Sequence, residues 1–126
     1  MFKFFRGNKE NKSGIILDNN SDLNYEEAIS FIKKTFIEKV ANSYSYKQNQ
    51  YSDPHGYWGI TFSKENISIF LGSERSSIDY RLTINGNNIY LGSFDDRVLQ
   101  LKNTSKKNFI FLIDLILRYL AQYPIV

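Results

Sequence analysis

Residues 78–92 read IDYRLTINGNNIYLG, and this stretch decides the fold. Apolar and polar residues alternate on both sides of Asn85 and Gly86, and an Asn-Gly pair between alternating runs is typical of a type I′ hairpin turn. The turn would pair Leu82 with Ile89 across two antiparallel strands. The residues predicted to share the inner face of this hairpin are Ile78, Tyr80, Leu82 and Ile84.

A second hairpin is predicted just before it, in residues 57–71, YWGITFSKENISIFL. A turn in the middle of this stretch would place Phe62 opposite Ile67. The same register would place Gly59 opposite Phe70, whose ring could cover the bare glycine. Because side chains alternate between the two faces of a strand, one face of this hairpin is apolar and buried. The residues of that face are Trp58, Ile60, Phe62, Ile67, Ile69 and Leu71.

The segment before the hairpins predicts a helix from Tyr25 to Ala41. Its apolar residues recur at intervals of three and four, which is the period of one helix face. Asn24 and Glu27 have the spacing of a capping box, which satisfies free N–H groups at the start of a helix. The members of the apolar face are Tyr25, Ile29, Ile32, Phe36 and Val40.

A second helix is predicted from Lys106 to Gln122, opened by Ser105. It is apolar around most of its circumference. A membrane span needs about 20 apolar residues, and this segment is shorter and carries Asp114 near its centre. We therefore expect it to pack on the inner face of the sheet, with Asp114 and Arg118 spaced as an i,i+4 ion pair.

Together these elements predict an α+β fold in two layers: a four- to five-stranded antiparallel meander with an N-terminal and a C-terminal helix on one face. Two segments leave alternatives open. Residues 43–56 are polar and rich in tyrosine, and we interpret them as a loop with a short extended piece at residues 44–46. Residues 95–103 could form a fifth strand, in which Leu99 and Leu101 alternate, or a short helix capped by an aspartate.

The net charge of +3 is unevenly distributed along the chain. Residues 13–126 hold equal numbers of acidic and basic side chains and are predicted to form a single domain, with residues 1–12 as a basic N-terminal tail or lead-in. Duplex nucleic acid needs clustered cations to displace phosphate counterions, so a neutral body disfavours that partner. The charged residues of the tail are Lys3, Arg6, Lys9 and Lys12 against Glu10.

The chain contains no cysteine, which excludes disulfides, thiolate catalysis and cysteine-ligated zinc or iron–sulfur sites. Its first residues, MFKFFRGNKENK, mix charges with phenylalanines. They lack the continuous apolar run of a signal peptide or a membrane span. We therefore expect a cytoplasmic protein with no membrane partner.

His55 is the only histidine, and it lies beside Asp53 and Pro54 and just before Gly56. It has no second histidine or cysteine with which to hold a metal, and the residues around it are typical of a turn. The sequence also lacks a nucleophile elbow and a phosphate-binding glycine loop. We expect no metal, no cofactor and no catalytic residue. A phosphodiester-cleaving enzyme that uses His55 is the last alternative.

Strand alternation assigns a second set of side chains to the outer face of the sheet. Arg81 and Tyr90 would be neighbours across the second hairpin, as a stacked cation–π pair requires. The adjacent loop adds Tyr44 and Tyr46. Tyrosine and arginine contribute much of the binding energy at protein interfaces, so this face is a candidate recognition surface. The alternatives stay open: an ordinary surface, or a face covered by the N-terminal segment and residues 43–56. The predicted partner-binding residues are Tyr51, His55, Tyr57, Phe70, Asp79, Arg81 and Tyr90.

A compact domain with a neutral body, exposed tyrosines and no catalytic group set resembles the small immunity proteins that bacteria make against partner toxins. The resemblance, to the polymorphic and contact-dependent inhibition type, lies in general build over most of the chain. It implies a non-enzymatic module that binds a cognate toxin and occludes the toxin's active site. The richness in Asn, Ile and Lys fits an AT-rich bacterial gene.

Two other binding classes remain as alternatives. A module for single-stranded nucleic acid would stack bases on the open sheet face, with Tyr57, Phe70 and Tyr90 exposed together. Arg81 and the basic tail would then contact phosphates. A secretion chaperone would bind protein and form dimers. The sequence leaves the oligomeric state and the identity of the partner open.

Overall fold

The computed structural model describes residues 23–41, 43–50, 57–75 and 77–122. Five of its elements are strands, and they form one antiparallel sheet in sequence order, with one helix before and one after it. The predicted α+β meander is therefore confirmed. The elements are α1 (Tyr25–Val40), β1 (Ser45–Gln50), β2 (Trp58–Lys64), β3 (Ile67–Glu74), β4 (Ser77–Ile84), β5 (Asn87–Ile89), the 3₁₀ segments Leu91–Ser93 and Asp96–Gln100, and α2 (Lys106–Gln122).

The turn between β4 and β5 forms as the Asn-Gly pair predicts. Asn85 and Gly86 have φ angles of 54° and 81°, so both adopt the left-handed conformation that a type I′ turn requires. Leu82 lies opposite Ile89, which confirms the predicted register. The ladder ends there, because the chain turns into the first 3₁₀ segment after Tyr90.

The register between β2 and β3 differs from the prediction by two residues. Phe62 lies opposite Ile69 instead of Ile67, because the turn consists of Glu65 and Asn66, and Glu65 takes a left-handed φ of 53°. No glycine marks that turn in the sequence, so its position was not apparent. A shift of two residues keeps every side chain on its predicted face, and the apolar face is confirmed.

Both helices pack on the inner face of the sheet. The ring of Phe36 in α1 stacks on Phe62, with 4.1 Å between their centroids. Trp58 contacts both helices, since its ring lies 6.0 Å from that of Tyr25 in α1 and 6.4 Å from that of Phe109 in α2. The indole is only 8% exposed, so Trp58 is a core residue, as predicted.

The fifth strand lies at the N-terminal edge of the sheet, where the sequence had favoured a loop. Ser45–Gln50 pairs with β2 along its whole length. Its side chains are polar apart from Tyr46, so the apolar alternation that identifies strands is weak there. In residues 95–103 the helical alternative is correct and the strand is wrong: Asp95 caps the second 3₁₀ segment by accepting a hydrogen bond from the Arg97 N–H.

Ion pairs join α2 to its neighbours. Asp114 pairs with Lys39 of α1 at 3.1 Å, and Arg118 lies 3.9 Å from the Asp95 carboxylate. The predicted pair within α2, between Asp114 and Arg118, is thus replaced by two pairs that tie α2 to α1 and to the 3₁₀ region. Within the described ranges, no helix is both long and apolar enough to cross a membrane.

Candidate functional site

Four side chains form a row across the outer face of the sheet. Cross-strand pairing places Lys47 of β1 opposite Thr61 of β2, Thr61 opposite Phe70 of β3, and Phe70 opposite Arg81 of β4. Adjacent strands lie about 4.8 Å apart, so three strand spacings separate Lys47 from Arg81 by about 14 Å. We call these four residues the central row.

The ring of Phe70 lies over two glycines of the sheet, which have no side chains of their own. Gly59 and Gly72 lie opposite each other beside it, and a Cβ atom added at Gly59 would lie 2.3 Å from Cε1 of the Phe70 ring. A Cβ atom added at Gly72 would lie 3.0 Å from its Cζ. The ring thus fills the space that two side chains would take. It covers Gly59 as predicted, but from a diagonal position, since the partner directly opposite Gly59 is Gly72.

The guanidinium carbon of Arg81 lies 5.4 Å from the centroid of the Phe70 ring, which is a cation–π distance. The sequence had assigned Tyr90 as the ring beside Arg81. That assignment is wrong, because β5 ends at Ile89, before Tyr90 could extend the ladder. Phe70 and Arg81 are instead direct cross-strand partners.

The two carboxylates of this face are occupied within the protein. The Tyr57 hydroxyl donates a hydrogen bond of 3.0 Å to Oε2 of Glu74. The Asp79 carboxylate accepts a hydrogen bond of 2.9 Å from the N–H of Tyr80. Both carboxylates lie towards the same end of the face: Asp79 is two residues from Arg81 on β4, and Glu74 is four residues from Phe70 on β3.

Among the described residues, neither cation of the central row is in salt-bridge contact with a carboxylate, although Asp79 lies two residues from Arg81 on the same face of β4. Lys47 and Arg81 are exposed, and neither forms a salt bridge with a carboxylate of residues 23–41, 43–50, 57–75 or 77–122. The ion pairs of the described residues lie elsewhere, on Lys39, Arg97 and Arg118. Across the described strands, the row therefore presents Phe70 and, at its two ends, exposed cations that have no salt-bridge partner among the described residues.

A separate aromatic cleft of about 420 Å³ lies beyond β5. Tyr90 is 64% exposed there, and Phe94 and Tyr119 meet edge to face at 5.3 Å. Burial, followed by the nearby Tyr90 phenol and Asp79 carboxylate, raises the pKa of Tyr80 above its usual value. The residues lining the cleft are Asn88, Ile89, Tyr90, Ser93, Phe94 and Tyr119.

The structure brings together some of the predicted partner-binding residues and separates others. Those that share the outer face are Tyr57, Phe70, Asp79 and Arg81; Tyr90 lies in the aromatic cleft, and Tyr51 and His55 lie outside the described residues.

Tyr44 and Tyr46 were expected beside the outer face but lie on the helix side. The ring of Tyr44 packs against Phe36 at 5.1 Å, and that of Tyr46 lies 6.3 Å from Phe62. Lys47 is not among the predicted residues, because the polar composition of residues 43–56 favours a loop over a strand. The alternation of Tyr44 and Tyr46 with Ser45 and Lys47 was the available signal.

This arrangement supplies recognition chemistry: an aromatic ring, two exposed cations and two hydrogen-bonded carboxylates on one face of the sheet. Among the described residues there is no group of three or more histidine, cysteine or acidic side chains that could hold a metal ion. Comparison of the chain with known protein families, curated proteins and solved structures finds no match.

Proposed function

We propose that the chain is a non-enzymatic protein-binding module that docks its partner on the outer sheet face. Within that class, we propose an immunity protein that binds a cognate bacterial toxin in the cytoplasm and blocks it by direct contact. The observation that carries the proposal is the central row, in which Phe70 and Arg81 are stacked on a sheet face that neither helix covers.

The composition of this face supports a protein partner. Phenylalanine, tyrosine and arginine are the side chains enriched at interfaces. Around them the face is flat, because most of the other outer positions carry small side chains or none. These positions are Ser45, Ser63, Ser68, Thr83, Gly59 and Gly72. A flat surface with a few large anchors can be covered closely by a partner, which excludes water from the contacts.

The size of the face indicates how much of it a partner would use. Five strands spaced about 4.8 Å apart and about six residues long give a sheet of roughly 24 by 20 Å, or about 480 Å². A partner of a stable complex usually covers about 800 Å² of accessible surface. We therefore expect the whole outer face to be used, together with flanking positions such as Tyr57, which lies just before β2.

The nucleic-acid alternative has less support. It needs Tyr57, Phe70 and Tyr90 exposed on one surface, but Tyr90 lines the aromatic cleft and the Tyr57 hydroxyl is bonded to Glu74. A base stacked on the face of the Phe70 ring would have to displace the Arg81 guanidinium, because Gly59 and Gly72 lie on the sheet side of the ring.

The test is isolation of the partner with the tagged protein from its native lysate, followed by measurement of the affinity with purified components. We expect one stoichiometric protein whose toxic activity falls when the chain is added. A Tyr57→Ala, Phe70→Ala, Arg81→Ala variant should bind at least 100-fold more weakly, since hot-spot residues each contribute about 2 kcal/mol or more.

A matched triple-alanine variant of Lys34, Glu38 and Lys107 alters exposed residues of the two helices and should bind normally. Both variants are first shown by circular dichroism to be folded. Equal loss of affinity in both variants, or recovery of nucleic acid in place of a protein, would contradict the proposal. A stable dimer in light scattering, combined with binding of unfolded clients, would favour the chaperone alternative.

A further inference from the structure

We propose that the surface that docks on the outer face is acidic, and that it places two carboxylates on Lys47 and Arg81 with an apolar side chain between them, against Phe70. This inference rests on the proposed function and specifies the chemistry of its partner. Its basis is charge complementarity with the central row.

The first observation is the lack of a counter-charge. Lys47 and Arg81 are exposed and have no carboxylate partner among the described residues, whereas the carboxylates of Glu74 and Asp79 already accept hydrogen bonds from the protein. An incoming carboxylate would therefore find its strongest free donors at the two ends of the central row. The guanidinium group of Arg81 can donate two parallel hydrogen bonds to a carboxylate.

The second observation is the spacing. Lys47 and Arg81 are three strands apart, which corresponds to about 14 Å. An extended chain advances about 3.3 Å per residue, so two carboxylates four residues apart span about 13 Å. In such a segment the first, third and fifth side chains point the same way. The third would lie between Thr61 and Phe70, which suits an apolar residue.

The third observation favours carboxylates over the phosphates of a nucleic acid as the ligands of this face. Asp79 lies two residues from Arg81 on the same face of β4, and Glu74 lies at the end of β3. A nucleic-acid backbone carries a charge on every nucleotide, so a strand laid along this face would bring phosphates towards these carboxylates. A pair of carboxylates bound at Lys47 and Arg81 brings only the one at Arg81 close to Asp79, and so meets less of that repulsion.

The test uses a synthetic peptide, acetyl-Glu-Thr-Leu-Thr-Glu-amide, titrated at low salt into the ¹⁵N-labelled full chain and followed by NMR. We expect chemical-shift changes centred on Lys47, Thr61, Phe70 and Arg81. The affinity should fall at least tenfold between 20 and 200 mM salt, because exposed ion pairs are screened. The peptide with both glutamates replaced by lysine should cause no shifts in the central row.

Charge reversal provides the matched comparison. Lys47→Glu and Arg81→Glu should each lower the peptide affinity at least fivefold, while Lys107→Glu, an exposed lysine of α2, should leave it unchanged. Shifts that centre instead on Lys106, which lies 5.6 Å over the Phe31 ring, would overturn the inference. It would also be overturned by equal binding of the lysine peptide, by no binding, or by tighter binding of a thymidine pentanucleotide to the row.

The two proposals can fail separately. If the partner from the lysate loses affinity for Phe70→Ala but binds Lys47→Glu and Arg81→Glu as tightly as the unchanged chain, the outer face is the docking surface and its partner is not acidic. If the partner binds normally to the triple-alanine variant of the outer face, the proposed function itself is wrong.

Discussion

The placement of the Phe70 ring over Gly59 makes a prediction that thermodynamics can test. In Gly59→Ala, the new Cβ atom would lie 2.3 and 2.4 Å from two atoms of that ring, compared with about 3.5 to 4.0 Å for carbon atoms in contact. The ring must move by more than 1 Å, and such overpacking costs about 1 to 3 kcal/mol. Alanine is more favourable than glycine in a strand by about 0.5 to 1 kcal/mol. We therefore expect Gly59→Ala to lower the free energy of unfolding by roughly 0.5 to 2 kcal/mol.

The clash with the ring disappears when the ring is removed. In a Phe70→Ala background the remaining close contact of the added Cβ is 3.1 Å to the Leu71 backbone oxygen, so the same Gly59→Ala change should be neutral to within about 1 kcal/mol. The two mutations should thus have an interaction energy of about 1 to 3 kcal/mol, with the double variant more stable than additivity predicts. Gly72 provides the control: a Cβ atom there would lie 2.2 Å from the backbone oxygen of Trp58. Removal of Phe70 cannot relieve that contact.

Urea denaturation followed by Trp58 fluorescence measures all of these free energies, because Trp58 is the only tryptophan and it is buried in the core. We expect Gly72→Ala to cost about 3 kcal/mol or more, with or without Phe70. An interaction energy between Gly59→Ala and Phe70→Ala below about 0.5 kcal/mol would refute the placement of the ring over Gly59.

Three further predictions concern the folded domain. Hydrogen bonds from the Arg97 side chain are the main cause of the lowered pKa of Asp95. The ionised carboxylate therefore stabilises the fold in full above about pH 4, the pKa of an ordinary aspartate. This contribution is lost as the pH falls through the lowered pKa. Asp95→Asn should cost about 1.5 to 3 kcal/mol at pH 7 and much less at pH 2 in urea titrations; an equal cost at both would contradict the assignment. Glu65 has a φ of 53°, which glycine adopts without the steric penalty of a side chain, so Glu65→Gly should raise the free energy of unfolding by up to about 1 kcal/mol. Lys64→Gly, at the end of β2, should lower it. Trp58→Ala should cost about 3 to 5 kcal/mol in calorimetry, and a loss below 1 kcal/mol would be inconsistent with its contacts to both helices.

The fold could be predicted from the sequence where a local pattern determines it. Asn85 and Gly86 encode a turn that only residues tolerant of positive φ can form, and Asn24 with Glu27 encodes a helix start through two hydrogen bonds that the structure contains. The β2–β3 register was not predictable in the same way. Glu65 adopts a left-handed φ that is unfavourable for a residue with a side chain. The pairing of the flanking strands outweighs this cost and sets the position of the turn.

The candidate site depended on tertiary contacts and was only partly predictable. Alternation placed Phe70 and Arg81 on one face correctly, because side-chain direction follows from backbone geometry. Lys47 was missed because an edge strand needs little apolar sequence: β1 is stabilised by its pairing with β2 and by Tyr46. Tyr90 was misplaced because the strand preceding it stops one residue short.

The sequential strand order has a consequence for how the protein is made. Each strand pairs with the next one along the chain, so every pairing closes a short loop, which favours rapid folding. During synthesis the sheet can assemble hairpin by hairpin as the ribosome releases it. Its inner face becomes fully covered only when α2 arrives, because Phe109 completes the packing around Trp58. A nascent chain stalled before Lys106 would therefore expose apolar side chains of the inner face, and we expect it to aggregate more readily than the chain in which α2 has docked.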